Sequence, residues 1–171
     1  CDTEGHRGCL DNDGTTIAVM AHGLDDVFPS SNKELAERIL SQGGSLVSEY
    51  PLGTPARRNF FVERDRLQSG LSDAVIVAES GIKGGSMHTV GFCEEQARKL
   101  ACIKHPEQHA GADSAAGNLM LIETERAVPL TGRDSVIEFV RDLEGLRTLE
   151  PSNYDNRGGA PSNKTQIGFD F

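Results

Sequence analysis

Short apolar runs alternate with helical patterns along this chain, and that alternation constrains the fold more than any other feature. Strands separated by helices are typical of βαβ units, in which the strands run parallel. One run, AVIVA, is apolar without alternation, as expected of a central strand covered on both faces. The predicted strands are residues 16–20, 45–48, 74–78 and 101–104.

Start and stop signals place helices between these strands. Ser31 and Glu34 form a capping box before an apolar stripe, and Gly43 with Gly44 follows the stripe. Residues 1–10 read as the end of another helix. Further helices are predicted at residues 60–71, from Ser86 to Leu100, and from a cap at Ser135 through Leu143 to a stop at Gly145. The sequence therefore predicts an α/β fold with a Rossmann-like, doubly wound, mostly parallel sheet flanked by helices.

Length and composition bound the class of protein. A chain of 171 residues suits one core. We expect a core over residues 1–145, incomplete at its N-terminal side because the chain begins at Cys1, and a polar, breaker-rich tail over residues 146–171. No apolar run approaches the ~20 residues of a membrane span. The four cysteines form no C-x-x-C pair. We therefore expect a cytoplasmic protein without membrane contact, metal or cofactor.

A glycine-rich loop follows the buried run at residues 74–78 and leads into a helix. Ligands of open α/β sheets sit at this carboxyl end, and the free N–H groups of a helix N-terminus hold phosphate. Glycine lets the backbone approach an anion closely. The alternative is a helix cap with glycines for a tight turn. The candidate phosphate-binding residues are Lys83, Gly84, Gly85, Ser86 and Thr89.

Arginines cluster in the segment before that strand. Arginine pairs bidentately with phosphate, and an adjacent aromatic ring stacks on a base. The alternative is a solvated helix face with internal ion pairs, and the formal net charge of −9 opposes binding of a polyanion. The candidate DNA or phosphate contacts are Arg57, Arg58, Arg64 and Arg66, with Phe60 and Phe61 as candidate base stackers.

Several short segments occur in one order between residues 2 and 140. They are DTEGHRG at 2–8, TIAVM at 16–20, GLD at 23–25, SEYPLGTP at 48–55, RDRLQSGLS at 64–72, GSMHT at 85–89, EQAR at 95–98 and AGNL at 116–119. In this order they resemble the DprA/Smf family of DNA-processing proteins, whose corresponding motifs include SEFPLGTPP, RNRIIAGLS and LEQGR. Several motifs in register are more specific than any one of them.

The resemblance implies a function and a set of site residues. It implies a non-catalytic protein that binds single-stranded DNA through a basic pocket, loads a RecA-type recombinase and acts as a dimer. By position it assigns Arg64, Arg66, Gly85, Ser86 and Thr89 to DNA phosphates. The chain departs from the family's N-F-P-x-R-N-R, reading NFFVERDR at residues 59–66 without the proline and with two acidic residues.

An enzyme is the competing interpretation. Glu63-Arg64 and Gly84-Gly85, followed by Thr89 and Glu94-Glu95, are similar to motifs of the LOG-type nucleoside-monophosphate phosphoribohydrolases, at altered spacing. There a glutamate and an arginine assist N-glycosidic cleavage. A nucleotide-sensing module without catalysis is a third interpretation, because a fold by itself does not decide function.

The end of the tail carries a short apolar motif. From Gln166 to Phe171, a glutamine precedes Ile167, Phe169 and Phe171 at alternate positions. This segment resembles the hexapeptides that bacterial DNA-handling proteins insert into the sliding clamp. The alternative is that it folds back on the domain as an edge strand or as a cover for an apolar patch.

Overall fold

The computed structural model describes residues 1–149, in which strands and helices alternate. The strands are β1 (Ile17–Val19), β2 (Ser45–Val47), β3 (Ala74–Val77), β4 (Lys99–Ile103) and β5 (Val128–Leu130). The helices are α1 (Asp2–Leu10), α2 (Lys33–Ser41), α3 (Arg58–Gly70), α4 (Ser86–Glu95), α5 (Glu107–Ala110), α6 (Ala116–Glu123) and α7 (Arg133–Leu149), and a 3₁₀ turn, Ser30–Asn32, precedes α2. The predicted α/β class is confirmed. The tail prediction at 166–171 lies outside the described residues.

Every strand pairing in residues 1–149 is parallel. β1 pairs with β2, and β4 lies between β3 and β5. The register aligns Val77 with Cys102 and Ile103 with Leu130. The described strands thus form a two-stranded sheet, β1 and β2, and a three-stranded sheet, β3 to β5. Parallel neighbours end at the same edge, so each sheet has one carboxyl edge. The loops from which α3 and α4 begin follow β2 and β3 at these edges, and the two helices pack against each other.

The two faces of β4 supply two separate cores. Leu100 and Cys102 pack with α4 and α6 on one face. Ala101 packs with Leu130 and Phe139 of α7 on the other. Strand residues alternate between faces, so an all-apolar strand is buried on both sides. A third cluster, with Leu10, Leu35 and Ile39 at its centre, joins α1 and α2 to β1 and β2.

The expected cover on both faces does not extend to β3. Val77 is buried, whereas Ile76 on the opposite face is 47% exposed. The uninterrupted apolar run predicted a strand correctly, but its cover depends on which helices cross that face, and strand periodicity carries no such information.

The end of α4 differs from the sequence prediction. The helix ends at Glu95 instead of Leu100, because Ala97 adopts a left-handed φ of 53°. The N–H of Arg98 then donates to Cys93 O and the N–H of Ala97 to Glu94 O, which is a Schellman motif. Leu100 consequently belongs to β4. Alanine is an uncommon residue at such a position, so no stop signal is visible in the sequence there.

Two predicted caps are not formed as expected. No side-chain hydrogen bond caps α2, and Ser31 lies in the 3₁₀ turn before it. Ser135 lies inside α7, where its hydroxyl oxygen accepts from the N–H groups of Thr131 and Gly132. α7 also continues through Gly145 to Leu149, since one glycine costs only about 1 kcal/mol within a helix. The sequence prediction also did not include β5, α5 or α6.

Candidate nucleic-acid interface

A buried asparagine organises the carboxyl edge after β3. The Asn118 side-chain nitrogen donates to Ala78 O at 3.0 Å and to Ile103 O at 2.9 Å. Its oxygen accepts the N–H of Ser80 at 2.9 Å. Asn118 is 1% exposed. One side chain therefore ties the ends of two parallel strands to the first residue of the glycine-rich loop.

The glycine-rich loop is shaped by close backbone contacts. The N–H of Gly84 donates to Gly81 O at 2.9 Å, which closes a tight turn. A Cβ at position 84 would clash with Ser80 Oγ, whereas a Cβ at Gly85 would meet nothing within 4 Å. Gly84 is thus required for the turn. The tight-turn alternative accounts for Gly84 but not for Gly85.

The start of α4 presents two free backbone donors. Among residues 1–149, the N–H groups of Gly85 and Ser86 have no protein acceptor, while the N–H of Met87 is used by Gly84 O at 3.1 Å. Ser86 is the first residue of α4 and is exposed. Free N–H groups at the positive end of a helix favour an anion. The geometry therefore leaves a small anion-binding surface at Gly85 and Ser86.

The cations of this edge fall into two groups, free and paired. Arg58 on α3 and Lys83 in the loop are exposed, and neither has a partner within the described part of the chain. Arg57 precedes α3, with its guanidinium 5.6 Å from the Phe60 ring centroid. These three residues are at or before the N-termini of α3 and α4, which pack against each other.

Arg64 is a paired cation that points inward. Its guanidinium donates to Val19 O at the end of β1 and lies 3.4 Å from the Asp65 carboxylate. It also lies 5.9 Å from the Phe61 ring centroid. The side chain is only 16% exposed. These contacts fasten α3 to β1, and a contact between Arg64 and DNA phosphate stays a prediction.

Asp65 is largely buried beside Arg64. Burial raises the pKa of the Asp65 carboxyl, against the opposing effects of the Arg64 guanidinium and the Thr89 hydroxyl. Thr89 is therefore close to an acidic group, although sequence position placed it at a phosphate site. Asp65, Ser86 and Thr89 line one cavity of about 330 Å³ beside β3.

Arg66 and Phe60 both contact the segment that leaves β2. Arg66 forms an ion pair with Glu49. Tyr50 stacks on Phe60 with 4.2 Å between ring centroids and 26° between ring planes. Phe61 instead packs against Phe28 at 6.0 Å. Both predicted base stackers, Phe60 and Phe61, therefore already contact another aromatic ring.

The structure places the predicted residues on α3, on α4 and in the loops before them, and it adds partners that the sequence prediction omitted. Glu49, Tyr50 and Asn118 matter because they cover or position predicted residues. The motif SEYPLGTP contained the first two, yet periodicity does not show which side chains meet across loops. Within residues 1–149 there is no group of three or more candidate metal ligands, and no helix is long and apolar enough to cross a membrane.

A comparison with protein families places this arrangement among known proteins. Residues 1–141 match the family model described as DNA recombination-mediator protein A. The putative DNA processing protein DprA of Mycobacterium tuberculosis is 32% identical over 150 residues, or 88% of this chain and 37% of that protein. Protein Smf of Escherichia coli K12 is 34% identical over 137 residues, or 80% and 36%. The chain thus spans little more than a third of these relatives' length.

Solved structures show the same fold. The X-ray structure of DprA from Streptococcus pneumoniae superposes with a TM-score of 0.69 at 32% identity, covering 80% of this chain and 47% of that one. A DprA structure from Helicobacter pylori, described for its single-stranded DNA binding mode, has a TM-score of 0.64 at 19% identity over 85% of this chain and 72% of that one, and shows the fold alone. The chain belongs to the DNA recombination-mediator protein A family, also named DprA/Smf.

Proposed function

We propose that this protein binds single-stranded DNA across the carboxyl edge of its sheet, as part of a recombination mediator. The observation that carries the proposal is the placement of unpaired Arg58 and Lys83 at or just before the starts of α3 and α4, two helices that pack against each other. A chain of net charge −9 needs such a local patch to attract a polyanion. The relatives named for DNA processing support the same function.

The proposed contacts divide between phosphate and base. The N–H groups of Gly85 and Ser86 and the Ser86 hydroxyl suit a phosphate oxygen at the start of α4. Arg57, Arg58 and Lys83 supply positive charge. Phe60 supplies a stacking surface, since every base presents a π-face. Binding of this kind is tolerant of sequence and sensitive to salt.

Charge removal tests the placement. We expect Arg58→Ala and Lys83→Ala each to weaken binding of fluorescent oligothymidylate and to flatten the slope of log K against log salt by about one. Fluorescence anisotropy at several salt concentrations measures both quantities. Lys99→Ala is the matched control, because Lys99 is an exposed lysine at the amino end of β4. An unchanged slope in both edge variants, or an equal change in the control, would place DNA elsewhere.

We also propose that the protein assists a RecA-type recombinase as a homodimer in the cytoplasm. The family description, DNA recombination-mediator protein A, supports a role beside a recombinase. Recombinase filament formation on single-stranded DNA, followed with and without the protein, tests this role. Analytical ultracentrifugation tests the dimer. No acceleration of filament formation at saturating protein would contradict the loading role.

The hydrolase interpretation is less well supported by the geometry. Glu94 forms two hydrogen bonds with Arg126, at 2.7 and 2.8 Å, and that guanidinium lowers the pKa of its carboxyl. Glu63 accepts from Tyr50 and Asn59. Two of the three carboxylates that the motifs suggested as acid or base, Glu63 and Glu94, are thus engaged elsewhere. We expect no free base on incubation with AMP, and adenine release would support the enzyme.

The clamp contact at residues 166–171 stays a prediction. A glutamine anchor with two or three apolar side chains suits a shallow hydrophobic pocket, and we expect an affinity of about 1 µM. Truncation after Lys164 separates the two interpretations of this segment. Lost clamp binding at unchanged thermal stability would support the ligand, whereas lost stability with unchanged clamp binding would support folding back on the domain.

A further inference from the structure

One face of α3 is covered by two consecutive residues of the loop after β2. Tyr50 lies on the Phe60 ring in the offset, nearly parallel arrangement that a nucleobase adopts on an aromatic side chain. Its hydroxyl donates to Glu63 on the same helix at 3.0 Å. Burial, followed by the contact with Glu63, raises the pKa of the Tyr50 phenol. The ring stack with Phe60 and the hydroxyl hydrogen bond to Glu63 therefore both hold Tyr50 against α3.

The residue before Tyr50 meets the next cation along the helix. The Glu49 carboxylate pairs with Arg66, and the two side chains are 48% and 46% exposed. Phe60 and Arg66 are six residues apart on α3, about 9 Å along the helix axis. The Glu49 carboxylate thus faces the Arg66 guanidinium, and the Tyr50 ring faces the Phe60 ring.

The backbone of this loop is braced, so its position is built into the fold. The Ser48 hydroxyl donates to His22 O at 2.6 Å, and the N–H of Tyr50 donates to the Ser48 hydroxyl at 3.0 Å. The N–H of Gly53 donates to Asp25 at 2.7 Å. These bonds join the loop after β2 to the loop after β1. Only the side chains of Glu49 and Tyr50 need rotate for α3 to be uncovered.

We infer that Glu49 and Tyr50 form an internal competitor for one nucleotide of single-stranded DNA, occupying on α3 the places of its phosphate and its base. The inference rests on the proposed function and names how that site is regulated. A polynucleotide that supplies several phosphates displaces the pair, whereas a mononucleotide gains too little to do so. The competitor costs both ligands the same free energy, and the additional phosphate contacts of a long single strand outweigh that cost, whereas those of a free nucleotide do not.

Removal of the carboxylate tests the phosphate half. We expect Glu49→Gln to tighten binding of oligothymidylate about three- to tenfold and to steepen the salt slope by about one, because one more guanidinium becomes free. Glu37→Gln is the matched control, since Glu37 is an exposed glutamate of α2 and its substitution changes net charge equally. Equal gains in both variants would reduce the effect to net charge and overturn the inference.

A double substitution shows whether Glu49 acts through Arg66. Arg66→Gln alone should change affinity less than twofold, because Glu49 already masks this cation. In the Glu49→Gln background, Arg66→Gln should remove the whole gain, and a double-mutant cycle gives the coupling. Additive effects would overturn the inference.

Tyr50→Ala tests the base half. If Tyr50 competes with a base, its removal tightens binding. Weakened binding would make Tyr50 part of the DNA surface and overturn the inference.

Thermal melting of each variant verifies folding. Binding by Glu49→Gln but not by the wild type would support strong competition; failure of every variant to bind at low salt would overturn the proposed function together with this inference. Wild-type binding with no gain in Glu49→Gln would overturn the inference alone.

Discussion

The side-chain oxygen of Asn118 accepts the backbone N–H of Ser80 at 2.9 Å, across 38 residues of sequence. The same side chain donates to the carbonyls that end β3 and β4. Asn118 on α6 therefore holds the first part of the glycine-rich loop in place. The loop in turn leads into α4. The next residue, Leu119, is 40% exposed and takes no part.

We expect Asn118→Ala to lower the free energy of unfolding by about 2–4 kcal/mol. The substitution leaves a buried N–H and several carbonyls without their partner, and each unsatisfied group costs about 1–3 kcal/mol before relaxation. Urea denaturation measures the loss, and amide hydrogen exchange at Ser80 reports loosening of the loop. Leu119→Ala is the control and should cost far less. Equal losses of unfolding free energy in Asn118→Ala and Leu119→Ala would contradict the role assigned to the Asn118 side chain.

Gly84 and Gly85 form a matched pair for testing the loop. Gly84→Ala places a Cβ against Ser80 Oγ and 3.0 Å from Gly81 O, whereas Gly85→Ala meets open space at an ordinary helical φ of −57°. We expect Gly84→Ala to lower both the melting temperature and DNA affinity, and Gly85→Ala to leave the melting temperature unchanged. Ser80→Ala should partly rescue Gly84→Ala. Equal effects of the two glycine variants would contradict this account.

Glycine at position 97 should stabilise the domain. Ala97 holds φ at 53°, a conformation that costs a residue with a Cβ about 1–2 kcal/mol relative to glycine. Because glycine also loses more backbone entropy, we expect Ala97→Gly to gain about 0.5–1 kcal/mol. Thermal melting should show a rise of about 2–4 °C per kcal/mol. Gly43→Ala, at a φ of 80°, is the reciprocal variant and should lower the melting temperature.

Asp65 should make stability depend on pH. Burial raises its pKa, so the folded protein keeps this proton to a higher pH than the unfolded chain does. Stability therefore falls as pH rises from the ordinary aspartate pKa through the raised one. Asp65→Asn should flatten this fall in denaturation experiments across that window. Asp26, whose pKa is lowered first by the Val27 N–H, should show the opposite sign. An unchanged pH profile would contradict the burial of charge at Asp65.

Much of the scaffold could be predicted from local sequence. The run AVIVA gave β3, and the pair Gly43-Gly44 gave the end of α2, because periodicity and left-handed glycine are local properties. The end of α4 was not predictable in this way, because Ala97 is left-handed without being a glycine. The start of α2 was not either, because the capping sequence at Ser31 lies in a 3₁₀ turn.

By itself, the sequence determined the fold class, the segments that carry the candidate residues and, through ordered motifs, the family. Only the tertiary structure decided which cations are free. Arg64 and Arg66 belong to the same basic segment as Arg58, yet Val19 O and Asp65 hold the first and Glu49 holds the second. Such pairings join residues that are distant in sequence, and their geometry depends on how loops after separate strands meet. Charge along a chain records the number of cations, whereas burial and neighbouring carboxylates decide how many remain for a ligand.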